Sequence, residues 1–133
     1  MEPIKVVAHY ANGKVIKGFT GDFSPNKNLF HFFPATAPKG EAMEVWVKDL
    51  KGVFFVRDFT GDSQYNEQKI FLDGEKGHGR KLEVKCIDEE LLVGLTLGYD
   101  PSRKGFFVFP ADPNSNNISV FVVSSAVKKF RYL

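Results

Sequence analysis

One cysteine, Cys86, is all that this chain of 133 residues contains, so no disulfide can close within it and no thiolate cluster can hold a metal. A lone thiol suits a reducing compartment, and the opening MEPIKVVAHY lacks the shape of a signal peptide, so the expected location is the cytoplasm. No apolar run approaches the ~20 residues that cross a bilayer, which excludes a membrane helix. A sustained period of 3.6 is also missing, which limits helices to single turns. Charge of one sign is scarce: 18 basic against 16 acidic residues leave +2, too little to argue a nucleic-acid partner from the total. Catalytic groupings are missing as well. His9, His31 and His78 fall on separate elements, and Asp88, Glu89 and Glu90 run together at a turn as a solvated charge run. With no nucleophile beside a base, no paired carboxylates and no ligand cluster, the expectation is no catalytic residue, no metal, no cofactor and no enzyme.

What is present is a unit written twice. GFTGDFSPNKNLFHFFPA from residue 18 recurs as GLTLGYDPSRKGFFVFPA from residue 94, without a gap, at an offset of 94 − 18 = 76. Each copy opens on an alternating strand, Lys5 to Tyr10 and Lys81 to Ile87, closed by a turn. Asn12-Gly13 suits a tight hairpin, and Asp88-Glu89 replaces it in the second copy. A second strand carries Gly18 or Gly94 at its middle, where glycine permits a sharp bend. Phe-rich third strands end at Pro34-Ala35 and Pro110-Ala111. Fourth strands follow at Glu44 to Lys48 and Ile118 to Val123, and fifth strands at Val53 to Val56 and Phe130 to Leu133, with a slip of one residue placed before the fifth.

The expected architecture is therefore all-β, two tandem five-stranded small barrels packed on each other: residues 1–57, an acidic connector 58–79, and residues 80–133. The units carry 8 − 5 = +3 and 8 − 6 = +2, and the connector 2 − 5 = −3. Gly74 to Gly79 reads as a flexible linker, or with Lys76 as an anion cradle, and Ile70 to Leu72 as a tether onto a barrel.

Five strands with a glycine in a bent second strand resemble the Sm-like small β-barrel, with Val6, Gly13, Gly18, Phe23 and Asn26 standing where that family's first motif has hydrophobic, glycine and loop residues. The Arg-Gly pair of its second motif is replaced by Asp49-Leu50 and Ser125-Ala126, so the resemblance implies a fold rather than RNA binding. DFSPNK, VFFVRDF and GYDPSRKGFFVFPADPNSNN are similar to an uncharacterised bacterial family in which such a double unit occurs alone or with signalling domains. Asp22-Phe23-Ser24 partly resembles the Asp-x-Ser motif of PilZ domains, which bind cyclic di-GMP; turn chemistry accounts for the same residues.

Three groups of residues are candidates for function. The duplicated loops offer Phe23, Ser24, Asn26 and Lys27, and Tyr99, Asp100, Arg103 and Lys104. Adjacent first and last strands would set Lys81 and Lys85 beside Lys129 and Arg131 as a basic face. The 14 Phe are more than two small cores absorb, so a second apolar set should meet a partner surface. Phe32, Trp46 and Val122 are expected there, with Trp46 largely buried. The resulting expectation is a non-enzymatic binding or adaptor module with a protein partner or a second copy of itself. The alternative is RNA or cyclic-dinucleotide binding through the basic loops.

Overall fold

The computed structural model describes residues 4–60, 79–112 and 114–133. Ile70 to Leu72, His78 and most of the glycine-rich run lie outside the described residues. The strands are β1 (Ile4–Tyr10), β2 (Val15–Thr20), β3 (Leu29–Pro34), β4 (Met43–Trp46), β5 (Leu50–Val56), β6 (Arg80–Cys86), β7 (Leu91–Thr96), β8 (Gly105–Pro110), β9 (Asn117–Val123) and β10 (Val127–Tyr132). Single 3-10 turns, Val47–Asp49 and Ser124–Ala126, join β4 to β5 and β9 to β10. Among the described residues no helix is long and apolar enough to cross a membrane.

Hydrogen bonding joins all ten strands into one antiparallel sheet in the order β4-β3-β2-β1-β5-β9-β8-β7-β6-β10. The sheet is open, which corrects the expectation of two separate closed barrels. The cause lies at β5: instead of closing back onto β4, it pairs with β9 of the other half, Val53 opposite Phe121 and Phe54 opposite Val120. A backbone edge satisfied in this way has nothing left with which to close a barrel.

The two halves pair their strands alike. Val6 faces Gly18 and Leu82 faces Gly94, while Gly18 faces Pro34 and Gly94 faces Pro110, all at offset 76. A Cβ on Gly18 would lie 2.2 Å from the Phe33 carbonyl oxygen and one on Gly94 2.1 Å from that of Phe109, so neither strand crossing tolerates a side chain. The hairpin turns also correspond: Gly13 has φ +95° and Glu89, in its place, φ +73°, a left-handed conformation that glycine takes without steric cost and glutamate does not.

The single-residue slip falls earlier than expected. Leu29 pairs with Trp46 and Gly105 with Val123, so the offset is already 123 − 46 = 77 at β4. Trp46 therefore corresponds to Val123, and Val45 to Val122 rather than to Phe121. Sequence alone placed the slip late because valines alternate with other residues along both strands, so either register preserves an apolar face.

Two cores lie on opposite faces of the central strands. Val53, Phe55, Phe121 and Val123 join Val6, Phe30, Phe32 and Val45 in the first, and Phe54, Val56, Val120 and Val122 join Leu82, Val84 and Phe106 in the second. Successive residues of a strand point to opposite faces, so β5, buried throughout, belongs to both. The phenylalanine excess is used at this junction. Phe23 of the first half meets Phe30 and Phe55 at 5.3 and 5.4 Å, and Phe121 and Phe107 of the second at 5.1 and 6.3 Å, edge to face.

Candidate functional site

The two duplicated loops come together. In each half the 3-10 turn is tied to the loop before the Phe-rich strand by one backbone bond. The Val47 N–H donates to the Asn28 carbonyl and the Ser124 N–H to the Lys104 carbonyl, both at 2.9 Å. These four segments line a groove of about 600 Å³ whose walls are Asn28, Trp46, Val47 and Lys48 from the first half and Pro101, Arg103, Lys104 and Val123–Ser125 from the second. A second hollow of about 550 Å³ adjoins it, with Pro25 and Asn26 facing Asp100, Arg103, Lys104 and Phe107. Arg103 and Lys104 border both.

Inside the loops most polar groups are engaged in turn chemistry. Asp22 Oδ1 accepts the His31 N–H at 2.9 Å, and Asp22 Oδ2 meets His31 Nδ1 at 2.6 Å. Burial opposes ionisation of Asp22, but the hydrogen bonds from His31 prevail and hold its carboxyl below the usual range. Ser24 Oγ accepts the Asn26 N–H at 3.4 Å, and Asp100 Oδ1 accepts the Ser102 N–H and hydroxyl at 2.9 and 2.6 Å. Asp22 is thus a pin between loop and strand, consistent with turn chemistry. Phe23 and Tyr99 are packing residues: Tyr99 meets Phe106 at 4.7 Å and Phe130 at 4.3 Å, edge to face. What the loops offer the groove is Arg103, Lys104 and Asn28. Lys27 is exposed but does not line it.

The groove's electrostatics are one-sided. Lys48, Arg103 and Lys104 contribute cations, and among the described residues its lining holds no carboxylate. Asp100 lies 3.9 Å from the Arg103 guanidinium at the rim. Trp46, expected to be buried, is 41% exposed, and Lys48 Nζ stands 5.8 Å from its ring centre. Asn28 ends the loop Ser24 to Asn28 where contact was expected, whereas sequence reasoning missed Lys48 as a site residue because its nearness to loop 100–104 arises only from the β5–β9 pairing.

The other candidates are placed differently. Phe32, expected at an interface, is 0% exposed in the first core and packs against Gly18. The second core holds Val122 beside the junction of the halves. β6 and β10 are neighbours as expected, Lys85 facing Lys129, but Arg131 faces and ion-pairs with Glu83. Glu89 binds Lys85 at 2.9 Å and also Lys128, and the two lysines hold its carboxyl down to about 2. Two of the four residues of the basic face, Lys85 and Arg131, are therefore held by carboxylates.

Asp88 and Glu90, read as solvated, clamp the nearly buried Lys51 of the other half, Asp88 at 2.7 Å. Burial would lower the Lys51 pKa, yet the hydrogen bonds that Lys51 donates to Asp88 and Glu90 raise it. Asp88 moves the opposite way: burial opposes its charge, and the Lys51 hydrogen bond nevertheless lowers its pKa. Cys86, beside this cluster, is buried and its thiol is pushed up to about 11 by that burial, which makes it unreactive. Among the described residues no group of three or more His, Cys, Asp or Glu could hold a metal.

Neither the curated proteins nor the solved structures contain a match to this chain. Residues 2–133 match one protein family, and the chain belongs to it: a family of unknown function, DUF6982.

Proposed function

We propose that the protein is a non-catalytic binding module, built from a duplicated five-strand unit, that holds an acidic segment of another protein in the groove between its two halves. The observation that carries this is the groove itself: an exposed indole flanked by Lys48, Arg103 and Lys104, with no carboxylate among the described residues of the lining. An apolar anchor ringed by charge of one sign suits a peptide with an aliphatic or aromatic residue next to acids. Three cations over about 600 Å³ are enough for such a segment. They are few for a polyanion, and on the β6–β10 face Lys85 and Arg131 are already paired with Glu89 and Glu83.

A second reading follows from the same indole, since a nucleobase stacks on an exposed aromatic beside bases. Trp46 is the only tryptophan, so its fluorescence reports either ligand. Titration with acidic peptides and with RNA oligomers or cyclic dinucleotides, at low and high salt, separates the two. A peptide that shifts the Trp46 emission, with binding lost in the Lys48→Glu, Arg103→Glu, Lys104→Glu variant, supports the proposal. Nucleotide binding that falls steeply with salt replaces it with the second reading, because counterion release governs such affinity.

A further inference from the structure

Two strands, β4 and β10, end the sheet, and their outer backbone edges have no strand partner among the described residues. Their counterparts in the other half, at offset 77, are β9 and β5, and those two are paired with each other. We propose that β10 of one chain pairs antiparallel with β4 of a second copy, in the register of β5 with β9, so that the protein assembles head to tail.

The register can be written out. Val53 opposite Phe121 becomes Phe130 opposite Glu44, and Gly52 opposite Val122 becomes Lys129 opposite Val45. The neighbouring position brings Lys128 opposite Trp46. Exposure follows the same correspondence. Val123 is 3% exposed because the first half lies beneath it, and its counterpart Trp46 is 41% exposed; Val53 is 0% exposed and its counterpart Phe130 is 39%. The apolar residues left bare on the two edges are those whose counterparts are covered across the β5–β9 junction, and a second copy would cover them in the same way.

Charge selects the pairing. Of the β10 cations, Lys128 and Arg131 are ion-paired with Glu89 and Glu83, and Lys129, facing Lys85, gives this edge its excess positive charge, while Glu44 on β4 and Glu41 just before it make that side acidic. Two β10 edges would bring excess positive charge against itself, and two β4 edges acids against acids, whereas β10 on β4 joins opposite signs. Edge lysines commonly prevent strand addition; here they are complementary to the other end of the same sheet. The contact is heterologous, so each added copy leaves one β4 and one β10 open, and growth ends only if the rotation closes a ring. This does not rest on the groove reading, but the two compete for Trp46: a chain whose β4 is paired with a second copy has its indole covered and cannot offer it to a peptide.

Light scattering of the full chain tests it, together with a Glu44→Cys, Phe130→Cys double variant. The expected mass is a multiple of 15.0 kDa, and oxidation of the double variant gives a covalent ladder that neither single variant gives. Phe130→Glu, which places an acid against Glu44, should return the mass to that of one chain, with Glu44→Lys in the same chain restoring assembly. Far-UV circular dichroism checks that each variant folds. A mass of one chain at the highest soluble concentration overturns the proposal. So do multimers that survive Phe130→Glu, or multimers that form no ladder.

Discussion

β5 and β10 occupy the same place in the two halves, yet β5 is buried at every residue and β10 is exposed over Lys128 to Arg131. Their sequences state the difference openly: LKGVFFV has one charge, VKKFRY three. A strand paired on both edges and packed on both faces reads as an apolar run, and one at the end of a sheet carries charge. The comparison between β9 and β4 runs the same way, NISVFVV against the short MEVW. The two halves carry one strand pattern, and in each pair one strand has the composition of the sheet's interior.

The sharpest way to break this comparison is to shorten a central aromatic and its edge relative. Phe121→Ala, which empties the core at the junction, should cost about 3–5 kcal/mol. Phe130→Ala, at the corresponding pair position on the edge, should cost about 1–2 kcal/mol in dilute solution because its ring is partly solvated already. Equal losses in urea denaturation would remove the distinction between centre and edge. A Phe130→Ala cost that grows with protein concentration would sharpen it, since assembly would then be adding burial.

Somewhat smaller is the effect expected of Gly18→Ala and Gly94→Ala. Each Cβ would meet a carbonyl oxygen of the adjoining strand, and overpacking against backbone costs about 1–3 kcal/mol or more. Thermal melts of the two variants should drop by similar amounts. If one substitution were silent, the strand crossings of the two halves would not be equivalent.

Lys51 and its counterpart Lys128, each at a register shift of its strand pair, come next. Lys51 is nearly buried between Asp88 and Glu90, and Lys128 is exposed beside Glu89. Lys51→Met should cost about 1–3 kcal/mol, reduced from the fully buried case because both carboxylates reach solvent. Lys128→Met should change stability by less than about 1 kcal/mol. Denaturant midpoints of the pair check this, and equal values would show that burial of Lys51 contributes nothing.

The smallest effect is the pH dependence of the Lys51 cluster. The folded pKa of Asp88 is depressed, so its contribution is present above the unfolded value of about 3.9 and lost as pH falls through the folded one. The folded pKa of Lys51 is raised, so its contribution is full below about 10.4 and lost as pH rises through the folded value. Lys51→Met should flatten both limbs of the stability profile, and an unchanged acid limb would remove Asp88 from the account.

Much of the architecture was legible in the chain itself. The alternation of Leu82, Val84 and Cys86 with charged neighbours placed the inward face, Gly18 and Gly94 marked the crossings, and the Phe-rich strands ended at the expected prolines. These are local signals, written in periods of two residues and in turn chemistry. The junction was not legible. That Val53 pairs with Phe121, and so opens two barrels into one sheet, depends on an edge-to-edge choice between residues far apart in the chain, and several registers satisfy the same alternation. The groove inherits that uncertainty: loop 100–104 was a candidate from sequence, but Lys48 and Trp46 became part of the same site only when the sheet brought the halves together. Sequence by itself determined strands, turns and the paired design of the two halves, because those follow from nearest neighbours. Tertiary structure alone decided which edges pair, which aromatics are covered and which remain bare, because the free energy of burying a strand edge depends on what lies beside it.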